Sequence, residues 1–396
     1  MTTLLSDTID RLSAFERAPF PVLSLYLNAQ PDAVGRDRFE PFLRKRLSEG
    51  LSTFRAGSPE RESFERDVAR IERYLGTSLE PSANAVAIFA CAGADGFFEA
   101  LQLDAPVHEH RLYVSDRPHL YPLARLDDQY PRYAAVLADT TVARIFVFGT
   151  NRLERQEDVV GQRTKRIKAG GWSQARFQRH VENYHLHHVK EVVDTLDRVV
   201  REEAIAHILL AGDEVVIPLF REQLPPHLAD KVLDVLRLDT QAPEREVLDV
   251  TLAALRQSDA ESDADLAGRL LDEVRSQGLG VLGAEQTLAA LRNGQVDVLL
   301  ILAQSDLLTN VDHLPVGDSS EAEHTGNAAE GLAAVDTAAA AAAARSEDTG
   351  ATPSSERVAN HLVTLARQTS ASVRFIEDPL LLAEAGGVGA LLRFRI

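Results

Sequence analysis

The middle of the chain reads Lys168-Ala169-Gly170-Gly171-Trp172-Ser173-Gln174-Ala175-Arg176-Phe177. Two consecutive glycines stand there between a basic approach and a helical pattern that begins at Ser173. Such glycines allow positive φ angles and a close approach of the backbone to a ligand. The unpaired N–H groups and the dipole at a helix start favour anionic groups. The stretch therefore predicts a loop-to-helix junction suited to phosphate or to a crowded RNA surface, although an ordinary turn before a helix fits the spacing as well.

Charge is unevenly distributed along this chain of 396 residues. The formal net charge of −18 argues against a protein that coats nucleic acid along its whole surface. The segment 163–190 is basic by contrast and contains a single acid, Glu182. Its bases are Arg163, Lys165, Arg166, Lys168, Arg176, Arg179 and Lys190. Because salt screens charges beyond roughly 10 Å, the local excess decides phosphate contact, and we expect this segment to bind RNA.

The residues from Gly170 to Arg179 resemble the Gly-Gly-Gln loop and following helix of archaeal and eukaryotic class-1 peptide-chain release factors. That family has Gly-Gly-Gln-Ser, then small or polar residues, then Arg-Phe and a further basic residue. Here Trp172 stands at the position of the family's catalytic glutamine, and Gln174 follows two residues later. The chain is identified as a bacterial member of the archaeo-eukaryotic release factor and Pelota superfamily, whose bacterial members often carry loop variants.

The resemblance implies a ribosome-binding translation factor. Its central domain would reach the peptidyl transferase centre, and its first domain would sit at the decoding site. Its third domain would contact partners, often a translational GTPase such as elongation factor Tu. The expected partners are therefore ribosomal RNA, peptidyl-tRNA and such a GTPase, with no cofactor and no metal ion. The chain itself lacks a Gly-x-x-x-x-Gly-Lys-Ser/Thr loop, so we expect no GTP hydrolysis through a P-loop.

The loop leaves two kinds of function open. In a catalytic reading, N–H groups of Gly170 and Gly171 stabilise an oxyanion and the Gln174 amide places a water, for peptide release, ribosome rescue or cleavage of the tRNA end. In a binding reading, the chain occupies the ribosomal A site as a hibernation factor. Trp172 favours binding, since an indole stacks on a base with roughly 1–3 kcal/mol but cannot place a water. Ser173 and the bases of the loop region complete the predicted RNA-binding set. An unrelated α/β hydrolase is disfavoured, because Gly-x-Ser-x-Gly is absent.

The length and the order of apolar patterns predict an α/β protein of three domains. The predicted domains are an N-terminal α/β domain over residues 1–129, a central release-factor-type domain over 130–257, and a C-terminal domain over 258–396. Residues 293–300 and the glycine-rich ending near 386–394 resemble the L7Ae-like third domain of the family. Residues 318–355 are small, acidic and alanine-rich, which predicts a low-complexity insert.

Periodicity also predicts the elements of the central domain. Apolar runs indicate a hairpin over residues 133–148 and a buried parallel strand over 205–212. A helix is expected from Ser173 to about Arg201, and two short helices are expected over 219–224 and 226–236. Asp139 ends the first strand, where capping of the turn is favoured over catalysis.

Four histidines of the long helix invite a metal interpretation: His180, His185, His187 and His188. They do not share one side of a helix and no acidic ligand completes the set, so a solvated or RNA-facing helix is favoured. One cysteine, Cys91, excludes an internal disulfide framework and fits a reducing compartment. No apolar run approaches the roughly 20 residues that span a bilayer, and we expect a cytoplasmic protein without membrane contact.

Overall fold

The computed structural model describes residues 5–31, 39–107, 109–150, 152–161, 174–311, 314 and 354–396, with the backbone alone for 174–182. The chain divides into two compact units. The terminal unit comprises Met1–Gln129 and Ser262–Ile396, and the central unit comprises Tyr130–Glu261. Three separate sheets with flanking helices confirm the α/β class. The division into three domains stays a prediction.

The first part of the terminal unit is a four-stranded sheet with helices. Its elements are α1 (Leu5–Ser13), β1 (Val22–Asn28), α2 (Phe39–Ser52), α3 (Pro59–Thr77), β2 (Ala85–Cys91), β3 (Phe97–Leu103), β4 (Arg111–Ser115) and α4 (Tyr121–Gln129). The strand order is β3-β2-β1-β4, with antiparallel neighbours. Alternate residues of β1, such as Leu23 and Leu25, point to one face and pack with Phe64 and Ile71 of α3.

The central unit follows with a five-stranded mixed sheet. Its elements are β5 (Tyr133–Ala138), β6 (Val142–Gly149), β7 (Arg152–Val160), α5 (Gln174–Glu202), β8 (His207–Gly212), α6 (Val216–Gln223), α7 (Pro226–Ala229), β9 (Val232–Leu236) and the first part of α8 (Glu244–Arg275), whose residues from Ser262 onward belong to the terminal unit. The strand order is β7-β6-β5-β8-β9. Strands β5, β8 and β9 are parallel, whereas β6 and β7 are antiparallel to their neighbours. This arrangement leaves β7 and β9 as the two edge strands.

Both faces of the central sheet are buried by helices. Ala134 and Val136 of β5 face one side, where they pack with the α5 residues Val192 and Leu196. Their neighbour Ala135 faces the other side, which α8 covers. A strand that is apolar on both faces reads as a continuous hydrophobic run, which is why β5 and β8 were recognisable in the sequence.

Several sequence predictions for this unit can be checked against these bounds. The hairpin, the long helix and the buried parallel strand are confirmed. The helix predicted over 226–236 is wrong in its second half, because Val232–Leu236 pairs with β8 as a strand. Strand β7 was not predicted. The predicted domain boundary at residue 257 falls inside the continuous helix α8.

The second part of the terminal unit forms the third sheet. Its elements are β10 (Gly280–Leu282), α9 (Ala284–Arg292), β11 (Val296–Leu302), α10 (Ser354–Gln368), β12 (Ser372–Ile376) and β13 (Val388–Leu392), with short 3₁₀ turns at Ser305–Leu307 and Pro379–Ala385. The strand order is β10-β13-β11-β12. Residues 318–353 of the predicted insert lie outside the described residues, and Ser354 and Ser355 open α10. None of the described helices combines the length and apolarity needed to cross a membrane.

Polar contacts join the two parts of the terminal unit. The Asn360 side chain accepts a hydrogen bond from the backbone N–H of Leu120 at 2.6 Å. Arg374 pairs with Asp263 at 2.8 Å and with Asp128 at 3.3 Å. These contacts link residues far apart in sequence, so the first and last segments of the chain fold as one body.

Candidate functional site

The predicted loop lies largely outside the described residues. This holds for Arg163, Lys165, Arg166, Lys168, Gly170, Gly171, Trp172 and Ser173. Gln174 is the first residue of α5, and Arg176 and Arg179 lie in its first two turns, but their side chains are outside the described part. The structure therefore describes the two supports of the loop, β7 before it and α5 after it.

Strand β7 and helix α5 lie side by side, run antiparallel, and rise by nearly equal distances between their two contacts. Toward the end of the pair that is remote from the loop, Arg198 of α5 donates to Glu157 of β7 at 2.5 Å. At the loop end, the ring of His188 lies against Gly161, directly after β7. From Arg198 to His188 a helix rises about 15 Å, and from Glu157 to Gly161 a strand rises about 14 Å. The two elements consequently keep a fixed alignment up to the point where β7 ends.

An ion-pair cluster holds the far ends of these elements together. Arg155 of β7 donates to Glu202 at 2.9 Å and to Glu203 at 2.8 Å. Arg198 also pairs with Glu202, at 3.2 Å. The hydrogen bonds that Arg155 donates to Glu203 and Glu202 raise the pKa of Arg155. The cluster is partly exposed, so it aligns the two elements more than it stabilises the unit.

Helix α5 extends beyond the end of the sheet at which β7 terminates. Residues 174–187 precede His188, and at 1.5 Å per residue they extend about 21 Å beyond the level of Gly161. Within this projecting segment Asn183 and His187 are exposed, whereas Tyr184 is half-buried. The residues that follow His188 bury their apolar side chains on the sheet. The predicted loop thus joins the end of the sheet to the tip of a projecting helix.

The base of the loop is closely packed. The backbone N–H of Gly161 donates to the Thr141 carbonyl at 2.8 Å. His188 is 4% exposed, and both of its ring nitrogens are buried without a hydrogen-bond partner among the described residues. Burial lowers the pKa of His188, although the Val142 backbone and the charges of Glu191 and Asp139 act in the opposite direction. The net effect is a lowered pKa, which favours the neutral form of His188.

Asp139 caps the turn between β5 and β6, as predicted. Its Oδ1 accepts hydrogen bonds from the backbone N–H groups of Thr141 and Val142, both at 2.7 Å. Partial burial acts to raise the pKa of Asp139, but these bonds and those from the Thr141 and Thr240 hydroxyls outweigh it and lower the pKa. A carboxylate held ionised in this way cannot serve as a general acid.

The histidines of α5 have different environments. His187 is exposed and its Nδ1 lies 3.4 Å from a Glu191 oxygen, His185 is half-buried, and the side chain of His180 is outside the described part. The expectation of a solvated or RNA-facing group is wrong for His188, which is buried. The signal was present, since His188 lies four residues before Val192 on the apolar face. Among the described side chains, no three His, Cys, Asp or Glu residues are grouped as metal ligands.

A family model matches the part of the chain that carries the loop. The model is described as bacterial archaeo-eukaryotic release factor family 10, and it matches residues 118–256. This range includes nearly all of the central unit and therefore β7, the loop and α5.

Sequence relatives occur in Mycobacterium tuberculosis. The chain is 26% identical over 193 residues to an uncharacterized protein of strain H37Rv and to one of strain CDC 1551 / Oshkosh. The match covers 48% of this chain and 52% of each relative. The chain therefore spans about half the length of the curated relatives it matches.

Solved structures of translation factors are similar over most of the chain at low identity. An S. cerevisiae translation termination-like factor covers 79% of this chain and 80% of its own, with 10% identity and a TM-score of 0.40. Archaeoglobus fulgidus Pelota covers 99% and 93%, with 12% identity and a TM-score of 0.32. An archaeal translation termination factor covers 98% and 97%, with 16% identity and a TM-score of 0.26.

These TM-scores lie below 0.5, so the assignment rests on residues 118–256. That range contains the Gly-Gly-Trp-Ser-Gln stretch that resembles the glycine loop of the release factors. The central segment of the chain, residues 118–256, is therefore similar to bacterial archaeo-eukaryotic release factor family 10.

Proposed function

We propose that the chain is a ribosome-binding translation factor that presents its Gly170-Gly171 loop at the peptidyl transferase centre. The observation that carries this proposal is the projection of α5, whose residues 174–187 extend about 21 Å past the sheet. A projecting helix reaches into a narrow RNA-lined site that the body of a unit cannot enter. The basic residues of 163–179 supply phosphate contacts at its tip.

The reaction we propose is hydrolysis at the end of peptidyl-tRNA, as peptide release, ribosome rescue or cleavage of the tRNA itself. N–H groups of Gly170 and Gly171 would stabilise the oxyanion. Gln174 opens α5, where the first-turn N–H groups lack helical partners and favour anions. Glutamine does not titrate, so Gln174 would orient a water or the tRNA end and not abstract a proton.

The second candidate is a non-catalytic hibernation factor that occupies the A site. It is favoured by one observation, the tryptophan directly after the two glycines. Trp172 would stack on a base and anchor the loop, an interaction worth roughly 1–3 kcal/mol. Both candidates place the loop at the same ribosomal site and differ in what it does there.

The remaining partner assignments belong to the same proposal. Residues 1–129 would sit at the decoding site, and the L7Ae-like segment 258–396 would contact a translational GTPase such as elongation factor Tu. Binding of the purified GTPase to the chain on 70S ribosomes, and its loss when residues 262–396 carry surface substitutions, would test this contact.

Ribosome binding is tested by co-sedimentation with 70S particles over a range of salt concentrations. Binding should weaken steeply with salt, because phosphate contacts release counterions. Replacing Arg163, Lys165, Arg166 and Lys168 by alanine should reduce both the affinity and its salt dependence. Arg201→Ala is the matched control, since this exposed arginine lies at the opposite end of α5. Absence of co-sedimentation at every salt concentration would contradict the proposal.

The two candidates are separated with ribosomes that carry labelled peptidyl-tRNA. Free peptide or a shortened tRNA indicates catalysis, and stable binding without product indicates hibernation. If Gln174 orients the reacting groups, Gln174→Ala should abolish product while binding persists. If Trp172 is an anchor, Trp172→Ala should weaken binding by about 1–3 kcal/mol while Gln174→Ala has little effect.

A further inference from the structure

Gly161 and His188 meet where the strand and the helix that flank the loop separate. A Cβ placed on Gly161 would lie 2.9 Å from the Nδ1 atom of His188, 3.1 Å from its Cγ atom and 3.3 Å from the Thr141 carbonyl oxygen. The φ angle of Gly161 is outside the left-handed region, so its backbone conformation does not require glycine. Glycine is required here by space, because the imidazole occupies the position that a side chain at residue 161 would take.

The burial of the His188 ring is costly, and no hydrogen bond to either buried ring nitrogen forms among the described residues. The titratable groups near the ring are Glu191 and His185 on α5 and Asp139 on the β5–β6 turn. Asp139 already accepts hydrogen bonds from backbone N–H groups of that turn. An aliphatic side chain would fill a core position without this desolvation. The planar ring, stacked into the gap left by Gly161, is the feature that distinguishes this site.

We propose that His188 is a positioning residue for the loop. The shape of its ring holds the end of β7 against α5. This contact fixes the two points at which the connecting segment 162–173 leaves the central unit. The inference rests on the proposed function of that loop, because the value of a fixed base is the placement of the loop on the ribosome. His188 touches no reacting atom in this proposal, and Gly161 is its necessary counterpart.

The contact predicts a specific pattern of substitutions. Gly161→Ala should push the His188 ring away, and His188→Ala should remove the wedge, so each should weaken 70S binding at least fivefold. The double variant should bind better than Gly161→Ala alone, because the new methyl group enters the space that the ring has left. His188→Phe should remain close to wild type, since it keeps a planar ring and loses only nitrogens that have no hydrogen-bond partner among the described residues. Gly76→Ala is the control, because nothing lies within 4 Å of a Cβ at that glycine.

A second measurement does not depend on the ribosome. Trypsin cuts after Arg163, Lys165, Arg166 and Lys168, so the initial rate of cutting in this segment reports on the base of the loop. Gly161→Ala and His188→Ala should raise that rate at least threefold, and the double variant and His188→Phe should restore it toward wild type.

The outcomes distinguish the two levels of the proposal. If wild-type protein fails to bind ribosomes while the trypsin pattern holds, the proposed function fails and the positioning role of His188 stands. If wild-type protein binds and the single variants bind equally well, the positioning role fails. If the single variants have a lowered melting temperature but an unchanged affinity for 70S ribosomes per folded molecule, His188 acts only as a core residue and the positioning role fails. Loss of binding in a folded His188→Phe would also overturn the proposal, because the nitrogens would then matter.

Discussion

The terminal and central units are held together in different ways. In the terminal unit, segments distant in sequence are joined by polar side chains that are largely buried, such as Arg374 between Asp128 and Asp263. In the central unit, two apolar faces of one sheet carry the packing, and the ion pairs of Arg198 between β7 and α5 lie near the surface. Arg198 and Glu202, for example, have side chains that are 45% and 47% exposed.

The difference teaches where charge matters for stability. A charge that loses its partner in a buried site remains desolvated, whereas an exposed charge is solvated by water and screened by salt. The terminal unit should therefore depend on individual polar contacts, and the central unit should depend on its apolar core. The central unit can then vary its surface charge near the loop without losing its fold.

The largest loss of unfolding free energy is expected for Arg374→Ala. The substitution removes the guanidinium that pairs with Asp128 and with Asp263, whose side chain is 7% exposed. Breaking a buried pair in this way costs about 3–5 kcal/mol of unfolding free energy. Chemical denaturation followed by circular dichroism measures the loss. Arg275→Ala in the same unit is the control, because Arg275 pairs with Glu384 at an exposed site. Equal effects of the two substitutions would remove the contrast between buried and exposed pairs.

An intermediate effect is expected from His119 in the terminal unit. This ring stacks on Tyr113 with a centroid distance of 3.6 Å, and its Nε2 atom is buried without a hydrogen-bond partner among the described residues. Burial, with a smaller contribution from the Arg111 charge, lowers the pKa of His119 to about 3. The unfolded chain binds the proton more readily than the folded chain between pH 6.5 and about 3. Stability from His119 is therefore complete above pH 6.5 and falls as the pH decreases.

His119→Phe tests this pH dependence. At pH 5 the wild-type protein should lose about 2 kcal/mol through His119, and the variant should not, since phenylalanine keeps the stacking and cannot be protonated. The backbone groups of residue 119 bond to Ser24 and Tyr26 and are unaffected by the substitution. Unfolding free energies at pH 7 and pH 5 give the comparison, with the pH 7 values as the internal control. An unchanged difference between the two pH values in the variant would show that His119 does not titrate as described.

The smallest expected effect is that of Arg198→Ala in the central unit. Glu157 and Glu202 both keep Arg155 as a partner, and the site is open to water. Denaturation should show no measurable change, and added salt should leave wild type and variant equally stable. If Arg198→Ala lowered the unfolding free energy as much as Arg374→Ala does, the surface ion pairs, and not the apolar core, would be the main source of stability in the central unit.

Edge strands mark the limit of prediction from sequence for this fold. Strand β7 is mostly charged or polar and alternates exposed with half-buried residues, and β9 is a short, half-exposed run that also fits a helix. Each has a sheet partner on one side only, and that partner is distant in sequence for the parallel pair of β8 and β9. Local propensity decides such segments poorly, because the pairing that stabilises them is set by the rest of the sheet.

The sequence by itself determined the α/β class, the buried strands, the long helix and the glycine loop before it. These follow from periodicity and from residue types whose physical preferences act locally. Only the tertiary structure decided that residues 120 and 360 belong to one unit, that α5 projects beyond the sheet, and that His188 fills the space beside Gly161. Each of these depends on contacts between segments that no local pattern relates, because packing brings together residues whose own preferences would permit many other neighbours.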